Sequence, residues 1–173
     1  VCPFLPHNTM EPMNFFAHVK EDSVELVGPT QTPSRARDTA AKLTGLPPEN
    51  ISVMMTRIGG GFGRRLMADY VEDAVQVSQA IKAPVKIIWT REDDMTAGEY
   101  RNMARYQYRA ALDAEGNMTA FHVKGVAANS GESVRANNFP AGAVPNYLAE
   151  TARMKSAITT GPWRSPIHNF LAV

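Results

Sequence analysis

The chain has 173 residues, a formal net charge of +1, 44% hydrophobic and 20% charged residues. That length accommodates one domain or two small ones, and the near-neutral balance lacks the basic excess of a nucleic-acid binder. One cysteine, Cys2, excludes an internal disulfide or a cysteine-based cluster within this sequence, and no run approaches the ~18 apolar residues that a membrane span needs. The opening Val1-Cys2-Pro3 and the apolar close from Asn169 to Val173 read as a piece of a longer polypeptide, with the compartment open between periplasm and cytoplasm.

In chain order, His7 to Asn14 show no periodicity and read as loop. Phe15 to Lys20 and Val24 to Val27 flank the polar Glu21-Asp22-Ser23 and predict a β-hairpin, closed by Gly28-Pro29. Thr32-Pro33-Ser34 opens a helix, with Thr32 as cap and Pro33 at its first position; Gly45 and Pro47-Pro48 end it. Ile51, Val53 and Met55 alternate as a strand. Ala68, Val71, Ala74, Val75, Ser78 and Ile81 recur at helical spacing, and Val85 to Thr90 is again rich in β formers. Residues 51–90 therefore read as a βαβ unit whose two strands pair in parallel.

The polar stretch Arg91 to Arg101 reads as loop. Met103 to Leu112 and Met118 to Ala128 flank Asp113-Ala114-Glu115-Gly116-Asn117, a hairpin signal. Residues 129–145 are loop-like, a short helix is expected over Asn146 to Arg153, and a strand over Lys155 to Thr160. The fold class is α+β: a mixed sheet with β-hairpins around a central βαβ unit and two helices packed on the sheet. A break near 91–101 is where two small α/β subdomains would divide.

The stretch Arg57-Ile58-Gly59-Gly60-Gly61-Phe62-Gly63-Arg64-Arg65 stands apart. Strand, glycine loop and helix together point backbone N–H groups at an anion, which suggests a phosphate-bearing cofactor. The loop nonetheless fails the common fingerprints. Gly63 is followed by Arg64-Arg65-Leu66 where a P-loop has Gly-Lys-Ser/Thr, and no G-x-G-x-x-G is completed. What remains is a tight turn without ligand, or a place where something bulky approaches the backbone closely.

Other candidates carry less. His7, His18, His122 and His168 lack ligand spacing and read as surface or packed residues. Glu92-Asp93-Asp94 reads as a solvated acidic cluster that could instead bind a cation or complement Arg91 and Arg101. Glu72 and Asp73 suit the start of a helix. Met54, Met55, Met67 and Met95 read as core filler, and Ser34 and Ser130 have no triad partners at recognisable offsets.

With these residues in view, the chain resembles the molybdenum-binding subunit of the xanthine dehydrogenase/aldehyde oxidase family, and most of all the large (beta) subunit of isoquinoline 1-oxidoreductase-type enzymes. Gly28-Pro29-Thr30-Gln31-Thr32-Pro33 is similar to the family's Thr-Gln segment, and Gly59-Gly60-Gly61-Phe62-Gly63 matches its GGGFG loop. Trp163-Arg164 resembles an aromatic-Arg pair before another cofactor-contacting turn. Met10-Glu11-Pro12 and Trp89-Thr90-Arg91-Glu92-Asp93-Asp94-Met95 add similarity in the same order.

The resemblance implies a part of a molybdenum cofactor-binding domain, spanning residues 1–173. Its cofactor contacts would be Gln31, Gly60, Gly61, Phe62, Gly63, Trp163 and Arg164, with no side chain ligating metal. It implies molybdopterin, as a dinucleotide, with molybdenum, and iron–sulfur clusters on a small partner subunit. The parent enzyme would oxidise an aromatic N-heterocycle or an aldehyde with oxygen from water, with no nucleic-acid partner and no membrane span in this piece. Leu66 stands where purine-oxidising members carry an acid, which argues against a purine. The family's general-base glutamate, in a Gly-x-Gly-Glu setting, has no match here; Gly131-Glu132 lacks the preceding glycine pattern. No catalytic residue is therefore assigned, and the piece by itself is expected to be inactive. The competing reading is a non-catalytic α+β binding or assembly domain with a structural glycine loop.

Overall fold

The computed structural model describes residues 1–130, 133–134 and 141–164. The chain divides into two compact units: one formed by Pro6–Glu99 with Gly161–Trp163, the other by Val1–Leu5 and Tyr100–Thr160 with Arg164. His168, Gly131-Glu132, the apolar close from Asn169 and residues 135–140 of the expected 129–145 loop lie outside the described residues.

The first unit is built on a four-stranded sheet. Its strands are β1 (Asn14–Val19), β2 (Val24–Gly28), β3 (Ile51–Met55) and β4 (Val85–Ile88). The predicted hairpin is present: β1 and β2 pair antiparallel, with Phe16 opposite Val27 and Val19 opposite Val24. Helices α1 (Pro33–Thr44) and α2 (Asp69–Ile81) pack on the sheet. Their burial follows the periodicity: Ala36 and Ala40 on α1, and Val71, Ala74, Val75 and Ser78 on α2, meet Phe15, Ala17, Val24 and Leu26 from the strands. Tyr70 sits edge-on to Phe15 with ring centroids 5.7 Å apart, and Ser78 Oγ accepts the Val19 N–H at 2.9 Å while donating to the Ala83 carbonyl at 2.8 Å. Fully burying an aliphatic side chain of this kind is worth roughly 1.5–3 kcal/mol, so this interface holds the unit together.

Strand order departs from the expected βαβ pairing over 51–90. The order is β3-β2-β1-β4, so the two strands flanking α2 occupy opposite edges. They run in the same direction, because β2 is parallel to β3 while β1 is antiparallel to both β2 and β4. The adjacent parallel pair is instead β2 with β3, joined by α1. The hairpin strands carry the most deeply buried side chains, so they take the centre. At ~1.5 Å per residue α2 extends about 20 Å, enough to cross the ~14 Å between edge strands.

Three local expectations are also revised. Thr32 makes no capping hydrogen bond; its hydroxyl donates to the Leu66 carbonyl at 3.1 Å, although Pro33 and the left-handed Gly45 begin and end α1 as expected. Arg91 to Arg101 is not all loop, because α3 spans Arg91–Thr96. Thr90 Oγ1 accepts the Asp93 N–H while the Asp93 carboxylate accepts the Thr90 N–H, a reciprocal capping box. Met54 and Met55 are not core filler: they are 61% and 49% exposed on the edge strand β3.

The second unit is a three-stranded sheet of β5 (Ala104–Leu112), β6 (Met118–Ala128) and β7 (Asn146–Met154). β5 and β6 form the predicted antiparallel hairpin, and Asp113 ties its turn by accepting from the Glu115 and Asn117 amides. β7 replaces the helix expected over Asn146 to Arg153, and no strand spans Lys155 to Thr160, where only Thr160 forms a bridge, to Tyr100. Ala, Leu, Glu and Arg favour a helix there, yet nine parallel pairs with β6 and the Phe121–Tyr147 ring stack, 6.1 Å apart and 3° from parallel, decide for a strand.

Candidate functional site

The glycine loop joins β3 to a single 3₁₀ turn, Arg64–Leu66, ahead of α2. Its backbone turns repeatedly into the left-handed region: Gly60 at φ 106°, Phe62 at φ 54° and Gly63 at φ 102°. Glycine occupies two of these positions without steric cost. Phe62 does not, and a non-glycine residue held there costs of order 1–3 kcal/mol, a strain that gathers at functional sites. Its ring stays 44% exposed beside Gly60.

The loop is fastened from beneath by Arg65, whose side chain is fully buried. Its Nε donates to the Gly60 carbonyl at 2.8 Å, and its Nη2 donates to the Glu11 carbonyl at 2.9 Å and the Glu11 carboxylate at 3.1 Å. Glu11 completes the fastening by accepting the Gly59 N–H at 2.8 Å and the Asn14 side-chain amide at 3.0 Å. Burial pushes the Glu11 carboxyl up, but those two hydrogen bonds and the Arg65 charge outweigh it and hold the group below its ordinary value. Arg64, 2% exposed, pairs through both terminal nitrogens with Asp69 at 2.7 and 2.6 Å and lies over the Trp89 ring.

The Arg65 backbone also places Gln31. The Gln31 N–H donates to the Arg65 carbonyl at 3.0 Å, and the neighbouring Pro29 carbonyl accepts from the Tyr70 hydroxyl at 3.1 Å. The Gln31 side chain then reaches the loop, where its Oε1 accepts the Gly63 N–H at 3.1 Å. Because the partner is a donor, the amide orientation follows: oxygen inward, NH2 outward. That exposed NH2 group, together with the N–H groups of Gly60 and Gly61, has no acceptor among the described residues.

Two of the loop glycines, Gly61 and Gly63, lie where other parts of the protein come close. A Cβ on Gly61 would stand 2.5 Å from Gln31 Oε1 and 2.7 Å from its Cδ. On Gly63 it would meet the Pro162 carbonyl group, with Trp163 Cα at 3.0 Å. Side chains and backbone of the protein itself thus fill the space beneath the loop.

Gln31, Gly60, Gly61, Phe62, Gly63 and Trp163 are accordingly brought together in one unit. Arg164 follows Trp163 in the chain, is exposed, and belongs to the other unit. Sequence reasoning missed the residues that hold the loop. Glu11 and Arg65 are 54 positions apart, and no local signal joins them. His7 read as an ordinary surface or packed residue; it is bracketed by the Glu99 and Pro162 carbonyls and stacked on Trp163. Asp94 in the acidic cluster is buried and pairs with Arg91 at 3.0 Å. Among the described residues, no group of three or more His, Cys, Asp or Glu side chains could hold a metal ion.

Comparison with known proteins bears on which group. A family model described as the molybdopterin cofactor-binding domain matches residues 1–151. The membrane-bound aldehyde dehydrogenase [pyrroloquinoline-quinone] of Gluconacetobacter polyoxogenes is 35% identical over 127 residues, 73% of this chain and 16% of that protein. Isoquinoline 1-oxidoreductase subunit beta of Brevundimonas diminuta is 35% identical over 104 residues, 60% of this chain and 13% of its own length. Among solved structures, quinoline 2-oxidoreductase of Pseudomonas putida 86 matches 94% of this chain and 23% of its own with a TM-score of 0.76 at 21% identity. The aldehyde oxidoreductase of Desulfovibrio desulfuricans matches 98% and 20% with a TM-score of 0.80 at 15% identity. At those identities the structural matches establish the fold, which is α+β as the sequence suggested. The chain spans less than a quarter of the length of each of these proteins.

Proposed function

The chain belongs to the molybdopterin cofactor-binding domain family, and we propose that its glycine loop forms one wall of the pocket at the molybdenum end of that cofactor. Gln31, Gly60, Gly61, Phe62, Gly63, Trp163 and Arg164 are the residues we assign to it. The observation that carries the assignment is the Gln31 amide: its oxygen is anchored against Gly61 by the Gly63 N–H at 3.1 Å, which leaves its NH2, like the Gly60 and Gly61 N–H groups, without an acceptor among the described residues. Such a set of neutral donors suits the oxygen and sulfur ligands of a molybdenum centre and offers nothing that would displace them. When bound, the cofactor supplies a metal able to accept the electrons of an oxidation.

The chain's own part in that chemistry is to bind and to orient. Gln31 and the loop amides fix the metal end by hydrogen bonds formed without rearrangement, because Arg65 and Glu11 hold the backbone in place beforehand. Phe62, whose ring is kept exposed on a strained backbone, walls the site and offers an apolar face to a flat substrate. The parent protein is an oxidoreductase acting on an aldehyde or an aromatic N-heterocycle; the names of an aldehyde dehydrogenase and an isoquinoline oxidoreductase among the relatives support this. Leu66, half-buried in the 3₁₀ turn, puts no charge beside the loop and speaks against a purine. The quinone in one relative's name is not carried over, because the family matched over residues 1–151 is a molybdopterin domain. The cofactor's dinucleotide form and a small iron–sulfur partner subunit complete the proposal. The general base is assigned to a part of the polypeptide outside this sequence.

Elemental analysis of the full-length protein, expressed with its partner, tests the reading. Wild type should contain about one molybdenum per chain; its absence would overturn the proposal. Gln31→Glu keeps an acceptor for Gly63 and removes the outward donor, so it should fold normally and lose most of its molybdenum. Full metal content in that variant would remove Gln31 from the site.

A further inference from the structure

The segment Gly161–Trp163 returns to the unit that holds the glycine loop, and its carbonyl at Pro162 lies against Gly63 so closely that no side chain fits between them. Neither residue grips the other by a hydrogen bond of its own. His7 contacts the segment at both Pro162 and Trp163. Its Nε2 lies 2.7 Å from the Pro162 carbonyl, its Nδ1 lies 3.1 Å from the Glu99 carbonyl, and its ring stacks on Trp163 with centroids 4.4 Å apart and planes inclined at 30°.

We propose that His7 is a positioning residue for the glycine loop: its Nε2–H holds the Pro162 carbonyl against Gly63, and its ring seats Trp163, so that the loop amides keep a fixed direction. The purpose of that positioning rests on the cofactor-pocket reading, while the contact itself can be tested without any cofactor.

The protonation state follows from what surrounds the ring. Burial is the largest influence and disfavours the imidazolium, as does the Arg64 charge; the two carbonyl acceptors and Asp94 favour it, and burial prevails, leaving the group below its ordinary value. At neutral pH the ring therefore carries one proton. The shorter contact, to Pro162, is the one that needs it, which selects the Nε2–H tautomer. In that tautomer Nδ1 meets the Glu99 carbonyl at 3.1 Å as a contact without a proton between them, and the Glu99 carboxyl is itself pushed up by burial and by Asp69.

Hydrogen–deuterium exchange on cofactor-free full-length protein tests this. The Gly63 N–H, donated to Gln31, is the reporter. His7→Phe keeps a ring on Trp163 and removes both nitrogens; Gly63 exchange should rise about fivefold, the factor that losing one ordinary hydrogen bond implies. His7→Gln restores a side-chain N–H within reach of Pro162 and should bring exchange back to within about twofold of wild type, which a role in packing alone would not do. Gly63 exchange in His7→Phe equal to wild type would overturn the proposal, and so would His7→Gln exchanging as fast as His7→Phe. If His7→Phe also loses protection in the core strand β1, it has unfolded and His7→Gln alone decides by the same criterion. Failure of this test leaves the molybdenum assignment standing, and absence of molybdenum leaves the His7 contact standing.

Discussion

Replacing Gly63 by alanine separates what the glycine loop owes to its backbone from what it owes to its neighbours. Gly63 has φ 102° and ψ −24°, so alanine pays for a left-handed conformation, about 1–2 kcal/mol. Its new methyl would also meet backbone: the Pro162 carbonyl carbon at 2.7 Å and Trp163 Cα at 3.0 Å. Backbone cannot rotate away as a side chain can, and overpacking of this kind costs about 1–3 kcal/mol. The sum is about 2–5 kcal/mol. Gly45 is the internal reference, since it is left-handed at φ 76° but a Cβ there meets nothing within 4 Å. Gly45→Ala should therefore cost only the conformational part. Equilibrium urea unfolding of the two variants, read as midpoint at constant m-value, gives the comparison. If Gly63→Ala costs no more than Gly45→Ala to within about 0.5 kcal/mol, the close approach of Pro162 does not constrain the loop and the reasoning fails.

Three further outcomes follow from named contacts. Arg65→Met strands the Gly60 and Glu11 carbonyls and leaves the Glu11 carboxylate without its buried cation; a loss of about 3–5 kcal/mol is expected, read by the same unfolding assay, and a loss under about 1 kcal/mol would mean the fastening is idle. Glu11 is held below its ordinary value of 4.5, so the stability it confers is complete above that pH and is lost as pH falls through the lower folded value. Stability of Glu11→Gln should therefore vary less with pH below about 4.5 than that of wild type, and parallel curves would refute the assignment. Thr90→Ala removes one half of the capping box on α3 and should cost about 1 kcal/mol, with increased amide exchange confined to Arg91–Thr96.

What could be read ahead of the fold depended on the range of the interaction. The hairpin over β1 and β2, the two long helices and the β5–β6 hairpin were legible because alternation, 3.6-residue spacing and turn residues act within a few positions. α3 was legible in principle through Thr90-x-x-Asp93, a local signal hidden by the acidic cluster it opens. β7 was not legible, since its composition favours a helix and only pairing with β6 overrides it. Ile51, Val53 and Met55 alternate as strand residues should, yet Met54 and Met55, on opposite faces, are both exposed because β3 lies at the sheet edge, a position set by tertiary pairing.

The loop was legible from the residues alone: Gly59 to Gly63, the Thr-Gln segment ahead of it and Trp163 behind it were recognisable in order, and with them the resemblance to a molybdenum-binding subunit. What presses on those glycines, and what holds them, emerges with the packed fold. Gln31 and Pro162 press against Gly61 and Gly63, Arg65 and Glu11 fasten the loop across 54 positions, and His7 pins a segment 155 positions away. Each of these is a contact between residues remote in the chain. Its energy depends on burial and on the alignment of donors with acceptors, and neither exists until β1, β2 and α2 have packed.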